Sequence, residues 1–344
     1  RQMERLREYI QKKLKILEMI DTTEKRQAEL VKDSLGKEIL KYLDDPEVNE
    51  VYINQDYSLR IDTISGRRKT DVILTSDTVA RICKSIAGIN RQVITEKNPE
   101  LGVEIRLLQV RAQIMFPPIV SRPTFFLRKK PRQIFSLEDY QAQGALSEKY
   151  YEIIVDCIKR RKNIIVAGAT GSGKTTFLNA ILKKLSEINP EHRLVILEDL
   201  PELQCSSDDV QYMTTSGNRT TSVTMQDLVF ISMRLSPQRI LIGEVRDKSA
   251  YDVLKAWNTG HPGGFCTIHA DGCHDAFIRL ELLVKEADTG SSTRDIKALI
   301  GSTVGVVISI QKVVQNNATT RVVEEIIAVK GYDAEQDCYD YDVL

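Results

Sequence analysis

The stretch Asn163-Ile164-Ile165-Val166-Ala167-Gly168-Ala169-Thr170-Gly171-Ser172-Gly173-Lys174-Thr175-Thr176 decides how this chain is read. An apolar run of strand type ends in a glycine-rich turn and passes directly into a helical pattern that reaches Leu185. Glycines at 168, 171 and 173 let the backbone curl so that successive N–H groups point at a bound phosphate, and the following helix adds its positive N-terminal end. Lys174 is expected to reach the β- and γ-phosphates of a nucleoside triphosphate, and the Thr175 hydroxyl to supply one ligand to Mg²⁺. Gly168, Ala169, Thr170, Gly171, Ser172, Gly173, Lys174, Thr175 and Thr176 are thus the expected phosphate-binding residues.

Working outward from this loop, strands and helices alternate. Strands are expected over 163–167, 193–198, 239–243 and 264–269, and helices over 174–188, 224–235, 248–258 and 274–286. That order implies a parallel sheet covered on both faces, with the loop at the carboxyl end of a strand where ligands bind in such folds. Residues 304–313 and 321–329 are expected to add a further strand pair. Before the loop, helices are expected near 32–43 and 76–88, strands at 50–53 and 59–64, and paired strands over 103–116. Arg122 to Leu137, with its Arg-Pro and Lys-Lys-Pro-Arg breaks, reads as a linker. The expected organisation is a small mixed α/β N-terminal domain (1–121), the linker (122–137), and a RecA-like P-loop domain (138–344). At the start, Leu6, Ile10, Leu14 and Leu17 mark an amphipathic helix with basic residues on its other faces. Such a helix covers its own domain, packs on a partner, or lies on a membrane surface.

Composition narrows the function. The 344 residues suffice for two domains, and 48 basic residues balance 48 acidic ones, so no global field draws the chain to nucleic acid or anionic lipid. No sequence-specific nucleic-acid partner is expected. The six cysteines show no Cys-x-x-Cys pair and no metal-ligand spacing, which points to reduced thiols in a cytosolic protein. No apolar run has the length of a membrane span, and the N-terminal stretch lacks the apolar segment of a signal peptide.

Three further segments carry chemistry. The strand Arg193 to Leu197 delivers Glu198-Asp199-Leu200-Pro201-Glu202 to the sheet edge, and such carboxylates hold Mg²⁺ through water or take a proton from attacking water. Ile240-Leu241-Ile242-Gly243 ends in Glu244 and then Arg246, the place of a Walker B carboxylate, with Glu instead of the more familiar Asp. Thr259-Gly260-His261-Pro262-Gly263-Gly264-Phe265-Cys266-Thr267-Ile268-His269-Ala270 holds two of the four histidines. His269 at a strand end is a candidate γ-phosphate sensor. His261 is the next candidate, weighed against a turn histidine bonded to backbone.

Taken in order, Gly168 to Thr175, Glu198 to Gln204, Ile242 to Arg246, and Trp257 to Gly264 with Thr267 to Ala270 resemble the Walker A, Asp box, Walker B and His box of the secretion ATPase superfamily. Leu254 to Gly264 and Arg122 to Lys130 look most like the TrbB-type conjugative transfer ATPases of type IV secretion. The pattern departs from that group at Asp247, where a glycine is expected. The resemblance implies an ATP-hydrolysing motor, a homohexameric ring at the cytoplasmic face of the bacterial inner membrane working with secretion or conjugation machinery. It implies ATP between the N- and C-terminal domains, with Glu202 as general base, Glu244 as the Mg²⁺-linked carboxylate, and His269 at the γ-phosphate. It also implies N-terminal arginines in the pocket: Arg128 for base or ribose, Arg106 or Arg111 for phosphates. The alternative is a DNA-translocating or helicase-like ring, against which stand the neutral charge and the lack of a basic, aromatic stripe.

Overall fold

The computed structural model describes residues 25–63, 66–90, 92–105, 108–130, 134–218, 221–315 and 318–344. The helix expected from Leu6 to Leu17 lies outside them. The chain divides into two compact units, Arg1–Pro131 and Arg132–Leu344.

In the first unit, helix α1 (residues 25–44) is followed by β1 (Val48–Ile53), β2 (Ser58–Thr63), β3 (Gly66–Ile73), α2 (Ser76–Ile89), β4 (Glu100–Ile105), β5 (Val110–Met115) and β6 (Thr124–Lys129). The strands form one antiparallel sheet in the order β3-β2-β1-β6-β5-β4. Val31, Leu35, Ile39 and Leu43 recur every four residues on α1 and enter a core with Val79, Ile82 and Ile86 of α2 and the inward residues of the strands. Thr75 caps α2 by accepting the Thr78 N–H.

One sequence expectation fails here. The stretch read as a linker, 122–137, contains β6, which sits in the middle of the sheet between β1 and β5. Pro123 precedes this strand without entering it, so the ladder keeps its donors. Phe125 and Leu127 alternate into the core, a period-two signal that the surrounding Pro, Arg and Lys obscured.

The second unit opens with α3 (Leu137–Ala142) and α4 (Glu148–Lys159), and continues through β7 (Ile164–Gly168), α5 (Lys174–Ile188), β8 (Leu194–Glu198), β9 (Val210–Thr214), β10 (Ser216–Asn218), β11 (Thr221–Val223), α6 (Met225–Ser232), β12 (Arg239–Val245), α7 (Ala250–Asn258), β13 (Phe265–His269), α8 (Cys273–Lys285), α9 (Thr293–Thr303), β14 (Val306–Gln315), β15 (Ala318–Asp333) and β16 (Cys338–Val343). Its main sheet runs β16-β15-β14-β7-β13-β12-β8-β9. From β14 to β9 neighbours are parallel, and β15 and β16 close one edge antiparallel. The strand pair expected at 304–313 and 321–329 is therefore β14 with β15. On β7, Ile165 and Ala167 face a core built with α6 to α9, while Ile164 and Val166 face a core built with α3 to α5. Burial on both faces is why β7 and β8 read as unbroken apolar runs.

Candidate active site

The topology brings four sequence motifs to one edge. β7, β13, β12 and β8 are consecutive parallel neighbours, so the phosphate loop, His269, Glu244 and Glu198 all emerge at their carboxyl ends. His269 pairs in register with Gly168, directly beside the start of the loop.

The loop itself is built around its glycines. Gly171 and Gly173 have φ of +75° and +95°, a left-handed conformation that a side chain disfavours. A Cβ on Gly168 would lie 2.6 Å from the Ile310 carbonyl oxygen of β14, so the strand end has no room for one. Gly173 caps α5 without a side-chain hydrogen bond, and the first turn of α5 carries no acidic residue. The first-turn N–H groups and the positive helix end thus meet no side-chain anion of their own helix. Ala169, Thr170 and Gly171 are exposed, and Thr175 and Thr176 are half-buried at the helix start. The Ser172 hydroxyl is buried without a hydrogen-bond partner among the described residues. An orphan buried hydroxyl in a cradle of backbone donors fits a polyphosphate group.

Lys174 is largely buried, and its Nζ donates to the carbonyls of Gly168 (2.8 Å) and Ala169 (3.0 Å). Burial lowers its pKa, and the charge of Glu244 opposes that shift. Its ammonium is held beside the loop by neutral carbonyl acceptors. Arg246, just after Glu244, pairs with Asp199 and lies 4.0 Å from the Glu244 carboxylate. Thr215 also donates to Asp199, at 2.9 Å.

The two glutamates of the Asp box occupy different environments. Glu198 is 2% exposed, and its Oε1 accepts the backbone N–H groups of Glu202 and Leu203, both at 2.8 Å. It ends a strand three positions from β7 in the sheet, roughly 14 Å across at the usual strand spacing. Glu202 is half-buried, and its segment is tied back to the loop's own helix. Asn179 of α5 donates to the Glu202 carbonyl at 3.2 Å and accepts the Gln204 N–H at 2.8 Å. Asn179 escaped sequence reading, although a buried asparagine inside the apolar run Phe177 to Leu182 is itself a signal that some backbone needs both a donor and an acceptor.

His261 is not a neighbour of His269. It precedes β13 and its Nδ1 lies 3.2 Å from the Pro237 carbonyl oxygen, just before β12, so it sits at the amino edge of the sheet. A five-residue strand, roughly 17 Å, separates the edges, which removes His261 as a γ-phosphate contact. The Gly-His-Pro-Gly-Gly run builds that edge instead. The Gly263 and Gly264 N–H groups donate to Asn163 Oδ1, and a fully buried Arg239 donates to the Gly263 carbonyl.

Of the N-terminal arginines, Arg106 lies outside the described residues. Arg128 on β6 is 56% exposed and opposes Glu50 of β1 and Arg111 of β5 in register. Its Nε is 3.7 Å from Glu50, whose pKa burial raises and Arg128 pulls back down. Arg111 is half-buried and opposes Glu104.

A three-layered α/β unit with a phosphate loop and acidic residues at the neighbouring strand ends defines a P-loop ATPase. Residues 67–339 match the family model described as "Type II/IV secretion system protein", and the chain belongs to that family as a secretion ATPase. It is 36% identical over 302 residues to a conjugal transfer protein TrbB of Rhizobium radiobacter, covering 88% of this chain and 90% of that one. It is 30% identical over 315 residues to a type IV secretion system protein VirB11 of Bartonella quintana, covering 80% and 87%. The fold is similar to the X-ray structure of the Legionella pneumophila ATPase DotB, with a TM-score of 0.62 and 20% identity, covering 86% of this chain and 80% of that one. Among the described residues, no helix is long and apolar enough to cross a membrane.

Proposed function

We propose that this chain hydrolyses ATP to drive a conjugative or type IV secretion machine, working as a homohexamer at the cytoplasmic face of the inner membrane. The observation that carries the reading is the convergence of four motif ends on one sheet edge around a loop whose buried hydroxyl and helix N-terminus suit a polyphosphate. In this reading the loop N–H groups and Lys174 hold the phosphates, and His269 donates to the γ-phosphate. Glu202 accepts the proton of attacking water, with its segment fixed by Glu198 and Asn179. Thr175 and Glu244 would hold Mg²⁺, which would supply charge neutralisation to the phosphates. Peripheral attachment to the membrane machinery is part of the proposal, and its protein partners are the components of that machinery.

The test combines phosphate release with native mass measurement in ATP. Hydrolysis lost in Lys174→Ala and a six-subunit mass support the proposal. A Lys174→Ala chain that hydrolyses like wild type refutes the site, and a monomer at all protein and nucleotide concentrations refutes the ring. Turnover that depends strictly on DNA favours the translocase alternative.

A further inference from the structure

The side chain of Arg321 on β15 lies against Gly173 of the phosphate loop. A Cβ on Gly173 would stand 2.6 Å from Arg321 Cδ and 3.1 Å from its Nε, so the arginine stem covers the residue that starts α5. Arg321 is exposed, and among the described residues its guanidinium makes no ion pair. Its cross-strand neighbour is Lys312 of β14, also exposed. Two like charges directly opposite each other in an antiparallel pair destabilise the sheet. The hairpin accepts that penalty beside a helix N-terminus, a largely buried Lys174 and the orphan hydroxyl of Ser172. Four positive or hydrogen-donating features at the loop are explained together by a polyanion. The Arg321 charge also reaches Tyr140 of α3, whose hydroxyl burial pushes up to about 12 while Arg321 draws it down.

We propose that Arg321 is a phosphate-binding arginine supplied by the hairpin β14–β15 of the same unit that carries the loop, contacting the di- or triphosphate of the bound nucleotide. This rests on the loop being a nucleotide site. The contact has a geometric cause: β14 is the parallel neighbour of β7, and its continuation past Ile310 carries the hairpin over the carboxyl edge where the loop begins. The arginines expected from sequence lie in the N-terminal part of the chain, and Arg321 is not among them.

The experiment measures binding of ADP, GDP and a non-hydrolysable ATP analogue to the full chain by calorimetry and competition. It compares wild type with Arg321→Ala, Arg321→Lys and Lys174→Ala. Arg321→Ala is expected to weaken all three nucleotides by a common factor of about ten to a hundred, the range of a charge-assisted hydrogen bond. Arg321→Lys is expected to recover part of that loss, and nucleotide-free Arg321→Ala should unfold no more easily than wild type, because the side chain is exposed and its removal relieves the repulsion from Lys312. Arg321→Ala binding like wild type while Lys174→Ala loses binding overturns the arginine's role and leaves the nucleotide site intact. A loss confined to the adenine nucleotides moves the contact to the base and overturns the phosphate assignment. No nucleotide binding by wild type overturns both readings.

Discussion

Replacing Glu198 separates a positioning carboxylate from a catalytic one. Its Oε1 receives two backbone N–H groups at 2.8 Å inside a nearly solvent-free site, with its Cγ packed where a Cβ on Gly243 would come within 3.1 Å. Glu198→Ala removes the acceptor and leaves two buried donors, at a cost of about 1–3 kcal/mol each. The segment carrying Glu202 should therefore loosen, and turnover and stability should fall together. Glu198→Gln keeps a carbonyl oxygen at the same place and loses only the charge, about 1 kcal/mol per bond. If that whole difference reached the transition state, the rate would drop roughly thirtyfold at most. Glu202→Gln leaves the loop and the Mg²⁺ ligands intact, so ATP still binds, while turnover falls by about two to four decades, the worth of a general base. Single-turnover rates, nucleotide affinity and melting temperature measured on all three variants decide the matter. A Glu198→Gln protein that melts and binds like wild type yet loses as much rate as Glu202→Gln refutes the positioning role. A Glu202→Gln protein with a normal rate moves the base to Glu198 or Glu244.

Lys174→Ala is expected to lower turnover at saturating ATP by about two to three decades, because a preorganised cation is lost where charge develops, and phosphate release checks it. His269→Ala is expected to weaken the ATP analogue about tenfold relative to ADP without changing ADP affinity, since only the γ-phosphate contact is lost. Equal affinities for the analogue in mutant and wild type remove His269 from that role. Arg239→Ala should cost about 3 kcal/mol or more, because its fully buried guanidinium donates to the carbonyls of Ile158 and Gly263 and to Asn189. Arg239→Lys should not restore the loss, as a lysine lacks the planar fork. Thermal unfolding measures it, and a wild-type melting temperature in either variant would refute the account.

The sequence made the centre of the second unit legible and its margins illegible, for one physical reason. Strands such as β7 and β8, buried on both faces, leave continuous apolar runs, and the glycines after β7 mark a conformation that only a few residues adopt. Edge strand β4 still alternates, with Leu101, Val103 and Ile105 buried, but the other edge strands of the two large sheets carry no such pattern. On β3 only Thr70 is buried, and β9 and β16 have no fully buried residue, so neither periodicity nor composition announces them. Helices α4 and α9 bury few apolar residues each, so in the sequence only Ser147 and the Ser292–Asp295 capping box mark their starts. In the proposed site, the motifs name segments whose ends meet at one sheet edge, but which glutamate is enclosed and which is tethered depends on Asn179, more than twenty residues upstream of Glu202. The two histidines of one motif look adjacent on paper, and only the direction of β13 shows that they belong to opposite edges.

Register is the level at which motif reading fails, and it is also where function leaves its mark. Arg111 opposes Arg128 across β5 and β6, and Lys312 opposes Arg321 across β14 and β15. Both are like-charge pairs in positions where packing alone would select an opposite charge or a β-branched residue. Local rules broken without a compensating partner mark functional sites more often than defects of folding. Around Arg128 compensation exists, because Glu50 faces it from β1. Around Arg321 no carboxylate answers among the described residues, and the nearest built feature is the start of the phosphate loop. The uncompensated pair therefore points to a ligand, and the compensated one to an arginine that must leave Glu50 before it can bind anything else.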